Sequence, residues 1–130
     1  MVLDTSAVLA ILLQEPEARA FALAIEANGL RLMSAATFLE TAIVAEARSG
    51  DAGGRELDLF MYRLQPTVLP VDREQAEIAR QAYRSFGKGR HPAALDYGDC
   101  FAYALSRSAG EPLLYKGDDF GRTDIVAYES

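Results

Sequence analysis

The chain opens with Met1-Val-Leu-Asp-Thr-Ser-Ala-Val-Leu-Ala-Ile-Leu-Leu13, and this stretch is the most informative one for the fold. Its start is typical of a short buried strand that ends on Asp4, and Thr5 or Ser6 can cap a helix that follows. Asp4 is the only charged residue among the first 14 positions. Because an isolated buried charge is too costly, this carboxylate must be paired, protonated, bound to a metal or close to water.

The rest of the chain alternates short apolar strands with helices. Strands are predicted near residues 32–33, 68–71 and 113–115, with residues 125–127 as a candidate fifth strand. Helices are predicted near residues 16–28, 35–48, 51–64, 72–86 and 97–108. This alternation predicts an α/β sandwich with a parallel sheet and right-handed crossovers. In such sheets functional groups gather at the carboxyl ends of strands, where Asp4 and the pair Asp118 and Asp119 lie.

Length and composition favour one domain that spans residues 1–130. Half of the residues are hydrophobic and a quarter are charged, as in a soluble globular protein. Cys100 is the only cysteine, which excludes an intrachain disulfide and a Cys-rich zinc site. The N-terminus lacks the basic residues of a signal peptide, and no apolar run reaches the ~20 residues of a membrane span. We therefore predict a cytoplasmic protein with no membrane contact.

The net charge of -6 argues against binding nucleic acid through overall charge. A local basic patch is still available, because Arg84, Lys88, Arg90 and His91 lie within eight residues of one another. The last three are weak candidates for RNA contacts, and a solvated loop explains them at least as well. His91 is the only histidine, and its loop position favours a surface role or a phosphate contact over general-base chemistry.

Further carboxylates occur beside hydrophobic segments, at Glu40, at Asp96 and Asp99, and at Asp118 and Asp119. Glu40 has mainly apolar neighbours at helical spacing, so it is expected to point inward, although a charge at the boundary of an amphipathic helix is also common. Asp96 suits a helix cap, which leaves Asp99 freer to act as a ligand. The last pair follows Gly117 in a turn, where aspartate is ordinary.

The conjunction of these acidic positions is more specific than any one of them. Carboxylates from separate segments would repel one another strongly in a shared pocket, and a divalent cation would remove that repulsion. Oxygen-only ligands suit hard cations such as Mg²⁺ or Mn²⁺. Such metals polarise phosphoryl oxygens and activate water, so the residues predict metal-assisted hydrolysis of a phosphoester.

Four segments carry a resemblance to a known family: Val2-Leu-Asp-Thr-Ser-Ala7, Ser34-Ala-Ala-Thr-Phe-Leu-Glu-Thr41, Gly87-Lys-Gly-Arg-His-Pro-Ala-Ala-Leu-Asp-Tyr-Gly-Asp-Cys-Phe-Ala-Tyr-Ala-Leu105 and Leu113-Leu-Tyr-Lys-Gly-Asp-Asp-Phe120. Together they resemble the PIN-domain ribonucleases, and within these the VapC toxins of type II toxin–antitoxin modules. The resemblance covers essentially the whole chain. It implies a PIN-like sandwich whose short, mostly parallel central sheet is flanked by helices.

The resemblance also implies a Mg²⁺- or Mn²⁺-dependent endoribonuclease that arrests translation and growth. A cognate VapB-type antitoxin would inhibit it, in a toxin–antitoxin hetero-oligomer built on a homodimer. Asp4, Glu40 and Asp99 match the first three acidic positions of the family. Asp4 and Asp99 would hold a metal, and Glu40 would bind a second metal or orient the attacking water, leaving a 3′-hydroxyl and a 5′-phosphate.

Two other positions of the family's pattern concern a fourth acidic residue and a hydroxyl group. Gly117 occupies the place of a fourth acid in many PIN domains, so Asp118 or Asp119 would have to substitute. Ser6 matches a hydroxyl position of the motif, where it would bond a ligand carboxylate or the scissile phosphate. Helix capping is an equally good role for Ser6.

Two other functions compete with this interpretation. A phosphatase with an aspartyl nucleophile usually has a second Asp two residues later, where this chain has Ser6. A non-catalytic module could use its carboxylates to bind a basic peptide, although Asp4, Glu40 and Asp99 are all intact. For the predicted homodimer, Phe60-Met61-Tyr62 offers apolar side chains for an isologous interface.

Overall fold

A four-stranded parallel sheet lies at the centre of the molecule, which a computed structural model describes over residues 1–129. Its strands run in the order β3-β2-β1-β4, and every neighbouring pair is parallel. The strands are β1 (Val2–Leu3), β2 (Leu32–Ser34), β3 (Thr67–Leu69) and β4 (Leu113–Leu114). The predicted α/β fold with a short parallel sheet is confirmed.

Helices connect the strands and cover the sheet. They are α1 (Thr5–Leu12), α2 (Ala18–Ala27), α3 (Ala35–Leu64), α4 (Arg73–Phe86) and α5 (Tyr97–Ala109), followed by a short 3₁₀ helix at Phe120–Arg122. α3 joins the two helices predicted on either side of Gly50. That glycine has non-helical torsions, φ 58° and ψ −144°, so two helices meet at a kink there, at the break that the sequence predicted.

Two local predictions are wrong. Asp4 itself is the N-cap of α1, where Thr5 or Ser6 was expected, because its side chain accepts a hydrogen bond from the Ser6 N–H. Residues 125–127 form no strand. They contribute only one isolated parallel bridge, from Ala127 to Leu113.

The sheet separates two hydrophobic clusters because successive side chains of a strand point to opposite faces. Val2 and Leu113 belong to the cluster beneath α4 and α5, whereas Leu3 and Leu114 belong to the cluster beneath α1, α2 and the second half of α3. Both β1 residues are fully buried. The sheet is therefore covered on both faces at β1, β2 and β4, whose residues are all buried, whereas the edge strand β3 is largely exposed.

Part of the segment predicted to form a dimer interface, residues 60–62, is buried in the core. Phe60 is buried in the second cluster, so it is not available to a partner, whereas Tyr62 is 77% exposed. The prediction that Phe60 supplies apolar surface to a dimer interface is therefore wrong. The homodimer itself stays a prediction.

Across residues 1–129, no helix combines the length and the apolar character that a bilayer crossing requires.

Candidate active site

Asp4 lies at the carboxyl edge of the sheet, between the ends of β1 and β4. Its backbone N–H donates to the Leu114 carbonyl at 3.0 Å, and its side chain is only 3% exposed. The Oδ2 atom accepts hydrogen bonds from the Ser6 N–H at 3.0 Å and from the Ser6 hydroxyl at 2.6 Å. The strand and the helix N-terminus together hold this carboxylate in one orientation.

Ser6 connects Asp4 to the segment that follows β4. Its hydroxyl donates to Asp4 and accepts the Lys116 N–H at 2.9 Å. Of the two roles expected for Ser6, the structure shows the contact with a carboxylate, while Asp4 does the capping. The Lys116 ammonium in turn lies 3.1 Å from a Glu15 oxygen and 3.4 Å from a Glu17 oxygen. These ion pairs connect the turn after α1 to the same edge of the sheet.

Glu40 approaches the site from α3. Its Oε1 atom accepts a hydrogen bond of 2.7 Å from the Thr5 hydroxyl, and the residue is half-buried as expected for an inward-pointing carboxylate. The other oxygen, Oε2, lies against Gly98 of α5, where an added Cβ would clash with it. Helix α5 can approach Glu40 this closely because residue 98 has no side chain.

Asp96 and Asp99 form a reciprocal cap at the start of α5. The Asp96 Oδ1 atom accepts the Asp99 N–H at 2.9 Å, and the Asp99 Oδ2 atom accepts the Asp96 N–H at 3.0 Å. The expected cap role of Asp96 is observed. Asp99 is less free than expected, because the same cap uses one of its two oxygens.

The carboxylates of the site influence one another electrostatically. Burial raises the pKa of Asp4 to about 6, against the lowering effect of the Ser6 hydrogen bonds, and the nearby Glu40 charge raises it further. Burial also raises the pKa of Asp99, and the charges of Asp4 and Asp96 act in the same direction. Carboxyl groups shifted by burial together with specific charged neighbours are a mark of functional sites.

The arrangement fits a hard divalent cation held by two carboxylates better than one held by three. No three Asp, Glu, His or Cys side chains within residues 1–129 are grouped closely enough to hold a metal ion together. Asp4 and Asp99 are close enough for charge coupling, while Glu40 is engaged by Thr5 and Gly98. Mg²⁺ commonly takes one or two protein carboxylates and completes its shell with waters and substrate phosphates.

Asp118 and Asp119 are both exposed and follow Gly117, which has φ 103°. Asp119 precedes the 3₁₀ helix, and its carbonyl accepts the Arg122 N–H at 3.2 Å. Within the described part of the chain, neither carboxylate hydrogen-bonds to Asp4 or Asp99. Their role in completing the site stays a prediction.

The three predicted RNA contacts have different environments. Lys88 is exposed, and the Arg90 guanidinium lies 6.0 Å from the centre of the Tyr83 ring. The His91 Nδ1 atom accepts the Ala93 N–H at 3.0 Å, and the imidazole packs edge-on against Phe86. His91 thus stabilises its own loop, and the two basic side chains are the better candidates for phosphate contacts.

Sequence reasoning missed Thr5 and Gly98 as parts of the site. Both contact Glu40, and neither is a residue type that pattern analysis selects as catalytic. Gly98 did carry a signal. Glycine inside a helix costs up to about 1 kcal/mol relative to alanine, so a glycine within a predicted helix indicates that another group approaches the backbone closely.

An apolar groove adjoins Glu40 between α3 and α5. We call it the α3–α5 groove; its volume is about 320 Å³. Leu39 is 60% exposed and Ile43 is 58% exposed beside it, and Tyr97 and Phe101 form its other wall. Of the neighbours that led to the prediction of an apolar face around Glu40, Thr37 is buried, Ala36 and Val44 are half-buried, and Ile43 is exposed.

The chain is similar to known proteins in sequence and in fold. The sequence profile of the PIN domain matches residues 1–126. The chain is 56% identical to Ribonuclease VapC30 of Mycobacterium tuberculosis over 126 residues, which is 97% of this chain and 96% of that protein.

Two solved structures are similar in fold. The sarcin-ricin loop cleaving toxin VapC20 of Mycobacterium tuberculosis matches with a TM-score of 0.78 and 17% identity, over 99% of this chain and 98% of that one. VapBC2 from Rickettsia felis, bound to a DNA fragment from its promoter, matches with a TM-score of 0.73 and 14% identity, over 98% and 96% of the two chains.

Proposed function

The chain belongs to the PIN-domain family and, within it, to the VapC ribonucleases, and from that premise we propose that Asp4 and Asp99 hold a divalent metal at which RNA is cut. The protein is a ribonuclease toxin of a VapBC-type toxin–antitoxin module. The observation that carries the site assignment is the buried carboxylate of Asp4, whose pKa is raised to about 6 at the edge of the sheet where Glu40 and Asp99 converge.

The proposed metal is Mg²⁺, with Mn²⁺ as an alternative. When bound, it would stabilise charge on the phosphoryl group and make water a better nucleophile. The metal would also remove the repulsion between Asp4 and Asp99, and it would hold both groups ionised despite their raised pKa values.

The remaining residues of the site would position groups rather than bind the metal directly. Ser6 fixes the rotamer of Asp4 through its hydrogen bond, and Lys116 fixes Ser6 in turn. Glu40, oriented by Thr5, would accept a hydrogen bond from the attacking water and align it with the phosphorus. No histidine base is needed in this scheme, which agrees with the structural engagement of His91.

An antitoxin is the partner of this toxin, in keeping with the toxin–antitoxin complex among its structural neighbours. We place the antitoxin's C-terminal tail in the α3–α5 groove, because exposed Leu39 and Ile43 suit an amphipathic segment that ends beside Glu40. A basic side chain of the tail, most simply arginine, would then occupy the acidic site. A guanidinium forms bidentate hydrogen bonds to carboxylates and cannot lose its charge.

The proposed activity is tested by incubating the purified protein with single-stranded RNA in Mg²⁺, in Mn²⁺ and in EDTA. Cleavage should require the metal and be lost in Asp4→Asn, while Asp58→Asn, which changes an exposed carboxylate of α3, should behave as the wild type. Turnover of a small phosphomonoester without RNA cleavage would instead support the phosphatase. Absence of both activities in the presence of metal would support the non-catalytic binding module.

A further inference from the structure

A second groove runs between α4 and α5, on the side of Tyr97 opposite the α3–α5 groove. We call it the α4–α5 groove; its volume is about 560 Å³, within the range of ligand-binding clefts. Its floor is apolar, with Ala79 and Cys100 buried, and its walls carry the aromatic rings of Tyr83, Tyr97 and Phe101. Nothing in the proposed mechanism uses this surface.

Tyr97 is unusually placed for an aromatic residue. Its side chain is 79% exposed, although it follows the Asp96 cap directly. The ring is supported from one side by Phe101, with the ring centres 4.9 Å apart and the planes at 83°. An exposed ring held by a neighbouring ring is a platform on which another flat group can stack.

The rim of the α4–α5 groove is basic, in a protein whose net charge is -6. Arg80 and Lys88 both line it, and Arg90 lies over the Tyr83 ring nearby. Arg80 makes an ion pair of 3.8 Å with Glu77, and both side chains are exposed. Because exposed ion pairs are weak, Arg80 is still available to bind a phosphate. Asp96 is the one acidic residue of the lining.

The groove adjoins the active site at that same residue. Asp96 lines the groove, and its side chain accepts a hydrogen bond from the Asp99 N–H. The Asp99 side chain in turn accepts one from the Asp96 N–H. A nucleotide strand whose phosphodiester lies at Asp99 could therefore place a neighbouring base against Tyr97 without crossing the protein. Aromatic stacking with flanking cations is how proteins hold single-stranded nucleic acid.

We propose that the α4–α5 groove is a nucleobase-binding subsite for the RNA substrate, in which one base stacks on Tyr97 while Arg80 and Lys88 contact flanking phosphates. This proposal rests on the ribonuclease function. The charge of the two grooves favours RNA over a peptide here. Arg80 and Lys88 line the α4–α5 groove, whereas no lysine or arginine among residues 1–129 lines the α3–α5 groove.

The test is a binding measurement with a fluorescein-labelled single-stranded RNA of about eight nucleotides, a length that one such binding site typically covers. Fluorescence anisotropy is followed in EDTA, so that the RNA is not cut. Tyr97→Ala is compared with Val126→Ala, because Val126 is an apolar side chain of similar exposure, 69% against 79%, outside both grooves. Ala76→Phe, which adds a ring inside the groove, is compared with Ala47→Phe, which adds one at an exposed position of α3.

Loss of one stacked base should weaken RNA binding about tenfold in Tyr97→Ala and in Ala76→Phe. Both control variants should bind as the wild type does. An abasic scan gives an independent readout: removing one particular base should weaken binding to the wild type, and the same removal should have little further effect on Tyr97→Ala.

Three results would overturn the subsite. Tyr97→Ala could bind and cut RNA as the wild type does, or the abasic scan could show no sensitive position. Light scattering could also show that Tyr97→Ala changes the oligomeric state, in which case a second copy of the chain occupies the groove. If the wild type neither binds nor cuts RNA, the proposed function fails first, and this outcome is distinguishable from the other three.

Discussion

Replacing Asp4 by Asn removes a buried negative charge and keeps an oxygen that can accept both hydrogen bonds from Ser6. In the folded protein the pKa of Asp4 is about 6, against an ordinary value of 3.8. The folded state therefore binds this proton more tightly than the unfolded state does. The stabilising contribution is fully present below pH 3.8 and is lost as the pH rises through about 6.

The magnitude follows from the difference between these pKa values. At about 1.4 kcal/mol per pH unit, ionised Asp4 lowers the free energy of unfolding by ~3 kcal/mol above pH 7 and by only ~0.5 kcal/mol at pH 4. The metal-free Asn variant should therefore be more stable than the wild type at pH 8, and the advantage should nearly vanish at pH 4. The same variant should lose RNA cleavage, because a neutral amide is a poorer ligand for a hard cation.

The assay is urea unfolding in EDTA at pH 4 and at pH 8, with RNA cleavage in Mg²⁺ measured in parallel. Asp58→Asn serves as the matched control, since Asp58 is exposed on α3 and its substitution should change neither quantity. An Asp4→Asn variant that is less stable than the wild type at pH 8, or whose stability difference does not depend on pH, would refute the buried-charge argument. Cleavage at the wild-type rate would refute the catalytic assignment.

Four further predictions concern the metal, the packing, the assembly and the antitoxin. Millimolar Mg²⁺ or Mn²⁺ should raise the melting temperature, because a ligand that binds only the folded state stabilises it, and the increase should shrink in Asp99→Ala; an insensitive wild type would count against the site. Gly98→Ala should displace the Glu40 carboxylate and reduce kcat, whereas Gly54→Ala, whose Cβ would meet only the flexible Glu46 side chain, should leave cleavage unchanged. Light scattering at micromolar concentration should show a homodimer, and a monomer would contradict that expectation. In an alanine scan of the Arg and Lys residues of the antitoxin tail, at least one variant should lose inhibition; full inhibition by every variant would favour steric exclusion of RNA by the bound tail.

The sequence alone determined the class of fold and the identity of the acidic residues. Short apolar runs alternating with helical segments predicted the parallel sheet, because a sheet covered on both faces has strands that are apolar throughout. The sequence also predicted the helix cap at Asp96, which accepts a hydrogen bond from the Asp99 N–H three residues later. These features depend on residues close together in the chain, so local patterns contain them.

The tertiary structure decided how the acidic residues are held. Thr5 bonds Glu40 across 35 positions of sequence, and the Lys116 N–H bonds Ser6 across 110 positions. The fit of Gly98 against Glu40 and the raised pKa of Asp4 likewise arise only when α3 and α5 pack around the end of β1. Periodicity and capping encode which face of an element is buried, whereas the distance between two side chains on different elements is set by how the whole core packs.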